Sequence, residues 1–421
     1  MRPYEGYVYA YPHKTAYRPL DPRPLLKDVW AGERPASLYV HIPFCEMRCG
    51  FCNLFTRTGA PEGLVTAYLD ALRRQAVAVR DALDGHDFST AAFGGGTPTY
   101  LSARELTRLF DLTEQTMDVD LASIPLSVET SPATATPDRL AVLAERGASR
   151  VSIGVQSFVD AEARAAVRPQ KRAEVDAALD AIRAAGIGTL NIDLIYGIDG
   201  QTPETWLHSL ETALTWKPEE LYLYPLYVRP LTGLGRQGRA WDDQRLLLYR
   251  AGRDHLLAAG YEQVSMRMFR LPGSGSPTGY RCQTDGMVGL GCGARSYTSR
   301  LHYSFEYAVG TRHVRSIIDD YTSRSDFGTA NVGFALSSGE RRRRHLIQSL
   351  LQAEGLSRKL YHDTFGTDVL DDFPLEPFAD WLVVEPSVVK LTAEGLAHSD
   401  AIGPALFSPE VEQLMDGYTA C

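Results

Sequence analysis

Tyr39-Val-His-Ile-Pro-Phe-Cys45-Glu-Met-Arg-Cys49-Gly-Phe-Cys52 sets three thiols in a Cys-x3-Cys-x2-Cys spacing just after a short apolar run. Cysteines this close together can all ligate one metal cluster. A disulfide framework fits poorly, because three is odd and Cys282, Cys292 and Cys421 are far off in the sequence. Soft thiolates suit iron-sulfur clusters or zinc. A zinc site wants Cys or His pairs at two-residue spacing, and no second pair exists; simple burial of free thiols is the plainer alternative. A 4Fe-4S cube normally takes four cysteines. A loop that supplies three leaves one iron open to a substrate or cofactor atom.

Composition bounds what surrounds this loop. A chain of 421 residues is long for one core, so a large domain with a smaller companion is expected. Hydrophobic residues at 44% and charged ones at 23% are ordinary for a globular protein. The net charge of -9, with Arg and Asp spread along the chain, argues against nucleic acid, which wants a basic footprint. No signal-like or membrane-length apolar run occurs, so neither a membrane nor an exported location is expected. A cytoplasmic, reducing setting suits six cysteines in so long a chain.

Residues 1–36 carry Pro3, Pro12, Pro19, Pro22, Pro24 and Pro35, a density that blocks helices and sheet interiors. They read as an extended arm, and their tyrosines argue that it packs on something. From residue 37 apolar runs at 37–42, 90–93, 126–130, 150–156, 188–194 and 220–226 alternate with helical periodicity at 62–83, 102–116, 137–146, 171–185 and 203–215. Strands alternating with helices predict a parallel sheet under helical cover. The expected class is α/β: a partial (β/α)6 TIM-like barrel over 37–240, followed by a smaller C-terminal α+β substrate domain over 241–421. In such barrels the chemistry sits on loops at the C-terminal ends of strands.

The motifs fall at those ends. After the first strand comes the cysteine loop. After the second comes Phe93-Gly94-Gly95-Gly96-Thr97-Pro98-Thr99, where missing side chains allow backbone to approach a ligand. Its amides can receive a carboxylate, or its carbonyls an ammonium group. Ser127-Val-Glu129-Thr130, Gly154-Val-Gln156-Ser-Phe158 and Asn191-Ile-Asp193-Leu-Ile-Tyr196-Gly197 each end an apolar strand with a polar side chain, for ligand binding or for ion pairs inside the barrel. Arg168 can supply positive charge to a carboxylate. Gly233-Leu-Gly235-Arg-Gln-Gly238 matches a dinucleotide fingerprint, but the first glycine does not directly follow its strand. It reads instead as a flexible connection out of the barrel.

In the last part, a helix is expected at 242–258 and a strand at 261–269. Glycines at Gly289, Gly291 and Gly293 mark close backbone approach to the barrel or to a bound molecule. Cys282 and Cys292 read as buried thiols. Ser337-Ser-Gly-Glu340 has capping-box spacing and opens a helix whose Arg341–Arg344 cluster is a solvated face or a receiver for a carboxylated substrate.

The cysteine spacing resembles the radical S-adenosylmethionine (radical SAM) enzymes. With the Gly-Gly-Gly-Thr-Pro-Thr turn, Gly-Val-Gln-Ser-Phe and Asp-Leu-Ile-Tyr-Gly in the same order, it resembles the oxygen-independent coproporphyrinogen III oxidase family, which also includes haem chaperones and class C methylases. The resemblance implies that Cys45, Cys49 and Cys52 hold a 4Fe-4S cluster whose open iron binds SAM, with Tyr39 and Phe51 flanking it. It implies that Gly95, Gly96, Thr97 and Glu129 hold SAM's methionyl end, and that Gln156, Arg168 and Asp193 contact its carboxylate and ribose. Catalytic members are thought to bind a second SAM, for which Gln283 and Arg295 are in position. A small-molecule substrate and a reducing donor such as flavodoxin or ferredoxin are implied partners.

The departures bear on the reaction. The oxidases carry a further cysteine two positions after the third, where this chain has Leu54. The chaperones' His-Asn-x-x-Tyr-Trp motif is replaced by Tyr280-Arg-Cys-Gln-Thr-Asp285. The expected activity is radical SAM chemistry on a small molecule, in the form of class C-like methyl or carbon transfer with a second SAM. Porphyrinogen decarboxylation and haem carriage are the alternatives. The arm's Tyr7-Val-Tyr9-Ala-Tyr11-Pro-His13-Lys14 resembles that of the oxidases.

Overall fold

The structure, a computed structural model, describes residues 2–168, 170–229, 231–237, 243–274 and 283–419. The six expected strands are present as β1 (Ser37–Ile42), β2 (Thr90–Gly95), β3 (Leu126–Thr130), β4 (Arg150–Gln156), β5 (Thr189–Tyr196) and β6 (Glu220–Pro225), all parallel and in that order. Their alternation with α1 (Leu64–Ala82), α2 (Ala103–Met117), α3 (Pro137–Glu145), α4 (Arg172–Ala184) and α5 (Pro203–Leu214) makes the partial barrel. In α1 the buried Tyr68, Leu69, Leu72, Ala76 and Val79 recur at helical spacing and face the sheet. Ser102 and Glu105 close a capping box on α2, and Thr202 with Pro203 starts α5.

A seventh parallel strand was not foreseen. Beyond the helix α6 (Arg245–Ala258) and the short antiparallel strand β7 (Met268–Arg270), which lies against β6, the chain returns to the opposite side of the sheet. There β8 (Met287–Leu290) runs parallel to β1, with Gly289 opposite Tyr39. Three further antiparallel strands, β9 (Arg295–Tyr297), β10 (Leu301–Ser304) and β11 (Val332–Ala335), extend that edge, and Arg18–Pro19 of the arm closes it.

The single strand expected over 261–269 is instead a tight hairpin of Glu262–Gln263 and β7. Ser265 accounts for the difference. Its hydroxyl accepts from the Arg267 and Met268 amides at 3.3 and 3.2 Å and turns the chain. Helix α7 (Thr311–Ser323) follows β10 and packs on α1.

A second hydrophobic core gathers helix α8 (Ser338–Leu350) with the antiparallel strands Leu356–Ser357, Leu382–Val384 and Val388–Leu391, and it also takes Tyr11, Ala16 and Tyr17 from the arm. Ser337 caps α8 as its spacing suggested, but Glu340 does not complete the box. Its carboxylate is taken by the Tyr11 hydroxyl. The boundary expected at 240/241, Gly238, Cys282 and Cys421 lie outside the described residues. Among the described residues no helix is long and apolar enough to cross a membrane.

Candidate active site

The loop after β1 carries Cys45, Cys49 and Cys52, each partly accessible. Gly50 lets neighbouring loops close on it. A side chain there would fall 2.7 Å from the Val167 Cβ, and the Gly50 amide donates to the Ala166 carbonyl at 3.1 Å. From the other side the Leu234 amide donates to the Gly50 carbonyl at 2.8 Å, and Gly233 sits against the Gly50 Cα. The stretch read as a flexible exit from the barrel is therefore, over residues 231–237, a clamp on the cysteine loop. Phe51 packs with Ala166, Ile195, Ile198 and Leu226 at the ends of β4, β5 and β6.

The hydrogen bonds of the glycine turn after β2 limit which of its polar groups stay free. The Gly96 and Thr97 amides donate to the Ile42 and Phe44 carbonyls, both at 2.8 Å, and the Gly95 amide donates to a Glu129 carboxylate oxygen at 3.1 Å. All three amides are spent within the protein, and the Thr97 carbonyl accepts from the Tyr100 amide at 2.8 Å, which leaves the Gly95 and Gly96 carbonyls rather than amides to offer. The glycines are needed sterically: a Cβ on Gly96 would lie 2.5 Å from the Phe44 carbonyl oxygen and 3.0 Å from the Cys45 sulfur. Gly95 has φ +116° and faces His41. Thr97 Oγ1 reaches the Cys45 sulfur at 3.4 Å.

Glu129 and Asp193 form the acidic part of the lumen. Glu129 remains accessible from the barrel mouth, yet desolvation dominates and pushes its carboxyl up to about 7, against the Gly95 hydrogen bond and helped by Asp193. Desolvation likewise raises Asp193 to about 6, although Asn191 and Ser152 donate to it at 2.7 and 3.4 Å. Arg150, by contrast, pairs with Glu220 at 2.7 Å and fills the role of an interior ion pair.

Arg168 reaches the cysteine loop itself. Its guanidinium donates to the Cys49 sulfur at 3.1 Å, to the Gly154 carbonyl at 2.6 Å and to Gln170 at 2.9 Å. The neighbouring backbone is strained to place it, with Gln156 at φ +71° and the β-branched Val167 at φ +51°. The side chains of Gln156 and Arg168 thus meet beside Gly154.

His41 Nε2 donates to the Phe55 carbonyl at 3.1 Å, and the Tyr39 hydroxyl donates to His41 Nδ1 at 3.1 Å. Burial lowers His41 to about 4, so it is neutral. His41 was missed in the sequence although it is the hub of three glycines: side chains at Gly95, Gly291 or Gly293 would each collide with it. Its period-two relation to Tyr39 on β1 is the signal that points to it.

Gln283 is not brought to Arg295. Its oxygen accepts from the Tyr11 amide at 3.0 Å and also from Gln348, and its nitrogen lies 3.5 Å from His302. Arg295 instead meets Tyr9 of the arm at 2.8 Å. Three of the four arginines on α8 are engaged within the protein: Arg342 pairs with Asp372 at 2.9 Å, Arg343 donates to the Leu406 carbonyl at 2.7 Å and Arg344 meets His302 at 2.8 Å. Cys292 is buried, and burial raises it to about 12.

The profile of the Radical SAM superfamily matches residues 39–213. The oxygen-independent coproporphyrinogen III oxidase of Paracoccus denitrificans (strain Pd 1222) is 30% identical over 372 residues, which span 81% of this chain and 79% of that protein. The chain belongs to this radical SAM family. Heme chaperone HemW of Bacillus subtilis (strain 168) is 28% identical over 86% of this chain and 93% of its own. The solved coproporphyrinogen III oxidase (HemN) from Escherichia coli, a radical SAM enzyme, superposes with a TM-score of 0.79 over 98% of both chains at 26% identity.

The cofactors of the radical SAM family are a 4Fe-4S cluster and SAM, and the donor set fits them. Cys45, Cys49 and Cys52 offer three soft sulfurs from one loop, with Thr97 Oγ1 on the first and the Arg168 guanidinium on the second, and among the described residues no three Cys, His, Asp or Glu are placed to hold a single metal ion. A cubane, with irons at separate corners, is the larger group that such spacing suits. Burial raises Cys45 to about 12 and Cys52 above its ordinary value, a cost that iron cations reverse by binding the thiolates.

Proposed function

We propose that this chain is a radical SAM enzyme that removes a hydrogen atom from a small, carboxylated substrate at the barrel mouth. The observation that carries the reading is the meeting of Cys45, Cys49, Cys52, the Gly94–Thr97 turn, Glu129 and Arg168 at one end of the parallel strands. When bound, the cluster and SAM supply a 5'-deoxyadenosyl radical. Cys45, Cys49 and Cys52 would hold the cluster, flanked by Tyr39 and Phe51. The carbonyls of Gly95 and Gly96 with the Glu129 carboxylate would take SAM's ammonium group, and Thr97 would line the same methionyl end. Gln156, Arg168 and Asp193 would receive its carboxylate and ribose.

The walls favour a dry, enclosed reaction space. Tyr7 of the arm lies against Tyr224 with ring centres 6.4 Å apart, and Tyr222 stacks on Tyr224 at 5.8 Å. Such aromatic cover excludes water from a reactive radical. In this reading 1–36 is a covering arm, 37–240 the catalytic core and 241–421 the substrate unit, with a low-potential donor such as flavodoxin or ferredoxin delivering the electron.

Oxidative decarboxylation of a porphyrinogen propionate is the concrete reaction to test first, because relatives so named align across most of this chain. The HemW likeness favours haem carriage as a second reading. Carbon transfer with a second SAM draws no support from these relatives. The test is anaerobic reconstitution with iron and sulfide, followed by dithionite and SAM. Release of 5'-deoxyadenosine is expected, without equimolar S-adenosylhomocysteine. No release at all overturns the enzyme reading, and S-adenosylhomocysteine alongside it restores methyl transfer. A Soret band with hemin in a chain that does not cleave SAM supports carriage instead.

A further inference from the structure

Gln170 spends its whole side-chain amide on two of the groups read above as receivers of SAM. Its Oε1 accepts from the Arg168 Nε at 2.9 Å. Its Nε2 donates to the Val155 carbonyl at 2.6 Å and to the Ser157 carbonyl at 3.3 Å, the residues on either side of Gln156. The orientation is fixed chemically: turned over, the amide would set a donor against the Arg168 N–H and an oxygen against two carbonyls. The backbone draws the same pair together, with the Gln170 amide donating to the Arg168 carbonyl at 2.8 Å.

Both partners need holding. Gln156 has φ +71° without being a glycine, a conformation that persists only where the surroundings over-determine it. It follows a register shift between Gly154 and Gln156 in the pairing of β4 with β5, and such a bulge leaves its extra residue, Val155, out of the ladder. The freed Val155 carbonyl is taken by Gln170 and by the Ser157 amide at 2.9 Å. Arg168 is a long side chain that loses much rotamer freedom when fixed. Its terminal nitrogens reach the Cys49 sulfur at 3.1 Å and the Gly154 carbonyl at 2.6 Å, and Gln170 pins the third nitrogen. Among the described residues these are the partners of its guanidinium, which leaves one N–H on each terminal nitrogen for a ligand's carboxylate.

We propose that Gln170 is a positioning residue for SAM and for the cluster: its amide sets the strained Gln156 and the Arg168 guanidinium in one arrangement before the cofactor arrives. The proposal rests on the radical SAM reading and deepens it. It is tested on cluster-reconstituted wild type, Gln170→Met, Arg168→Met and the double variant. Two quantities are read without turnover. One is the reduction potential of the cluster in the absence of SAM, by redox titration followed by electron paramagnetic resonance; the other is SAM affinity, by equilibrium dialysis. Gln170→Met should shift the potential to a more negative value, since a guanidinium no longer pinned spends less time at the Cys49 sulfur. In the double variant it should add no further shift to that of Arg168→Met. SAM affinity should fall about fivefold in Gln170→Met, the scale of a lost hydrogen bond.

A potential that does not move in Gln170→Met overturns the proposal, as does one that moves as far with Arg168 already replaced as with it present. Unchanged SAM affinity overturns it too. Thermal melts separate positioning from mere support: a residue that only ties the loop to the start of α4 lowers the melting temperature when replaced and leaves the potential where it was. The titration reads only chains that hold a cluster, so poor loading of a variant does not hide the answer. Wild type that holds a cluster yet binds no SAM contradicts the proposed function, and the coupling of Gln170 to Arg168 is then decided by the potential alone.

Discussion

The Arg168 guanidinium donates to the sulfur of Cys49 at 3.1 Å while holding the Gly154 carbonyl at 2.6 Å, so one side chain ties the end of β4 to the cysteine loop. Positive charge at a ligating sulfur stabilises the more negative, reduced state of a cluster. Arg168→Met is expected to shift the cluster's reduction potential to a more negative value in a redox titration. It should also weaken SAM by about tenfold, the scale of a lost charged hydrogen bond. An unchanged potential would remove Arg168 from this role.

Glu129 gives a pH dependence with a definite sign. Folding raises its carboxyl from an ordinary 4.5 to about 7, so between those values the folded chain holds a proton that the unfolded chain has released. Stability therefore falls as pH rises through this window. Glu129→Gln should melt higher than wild type at about pH 8 and no higher at about pH 4. Binding of SAM's ammonium needs the ionised form, so wild-type affinity should fall as pH drops below about 7, and the variant should bind weakly throughout.

Gly96 has no room for a methyl group, since a Cβ would press on the Phe44 carbonyl at 2.5 Å and on the Cys45 sulfur at 3.0 Å. Backbone cannot yield there without moving the loop. Gly96→Ala should cost about 1–3 kcal/mol in urea unfolding and lower the iron bound per chain on reconstitution.

Arg267 and Asp400 form a buried pair at 2.5 Å that also takes the Tyr227 hydroxyl at 2.6 Å, while the Asp400 carbonyl accepts the Glu5 and Gly6 amides. Asp400→Ala should destabilise by about 3–5 kcal/mol, because a buried cation is left alone. The double substitution Arg267→Met with Asp400→Leu should recover most of that loss. A double variant as unstable as the single one would refute this account of the pair.

The parallel strands and their helices were legible because each carries a strong period or an unbroken apolar run. So were the three thiols and the glycine turn, whose spacing is local. β8 was not legible: Val288-Gly-Leu-Gly291 is short and glycine-rich and reads as a turn, although the missing side chains at Gly291 and Gly293 are what let it close on His41. The clamp of Leu234 on Gly50, the capture of Gln283 by Tyr11 and the meeting of the arm's Tyr9 with Arg295 join residues remote in sequence. No local pattern encodes such meetings, since they follow from how the loops at one end of the sheet converge.

The central claim is an iron of the cluster left free by Cys45, Cys49 and Cys52 to bind SAM. It is tested most directly by electron paramagnetic resonance of the dithionite-reduced, reconstituted protein with and without SAM. The account predicts a reduced 4Fe-4S signal whose g-values shift when SAM is added, and its loss in variants with any of the three cysteines replaced by alanine. A cluster signal identical in the presence and absence of saturating SAM would contradict it.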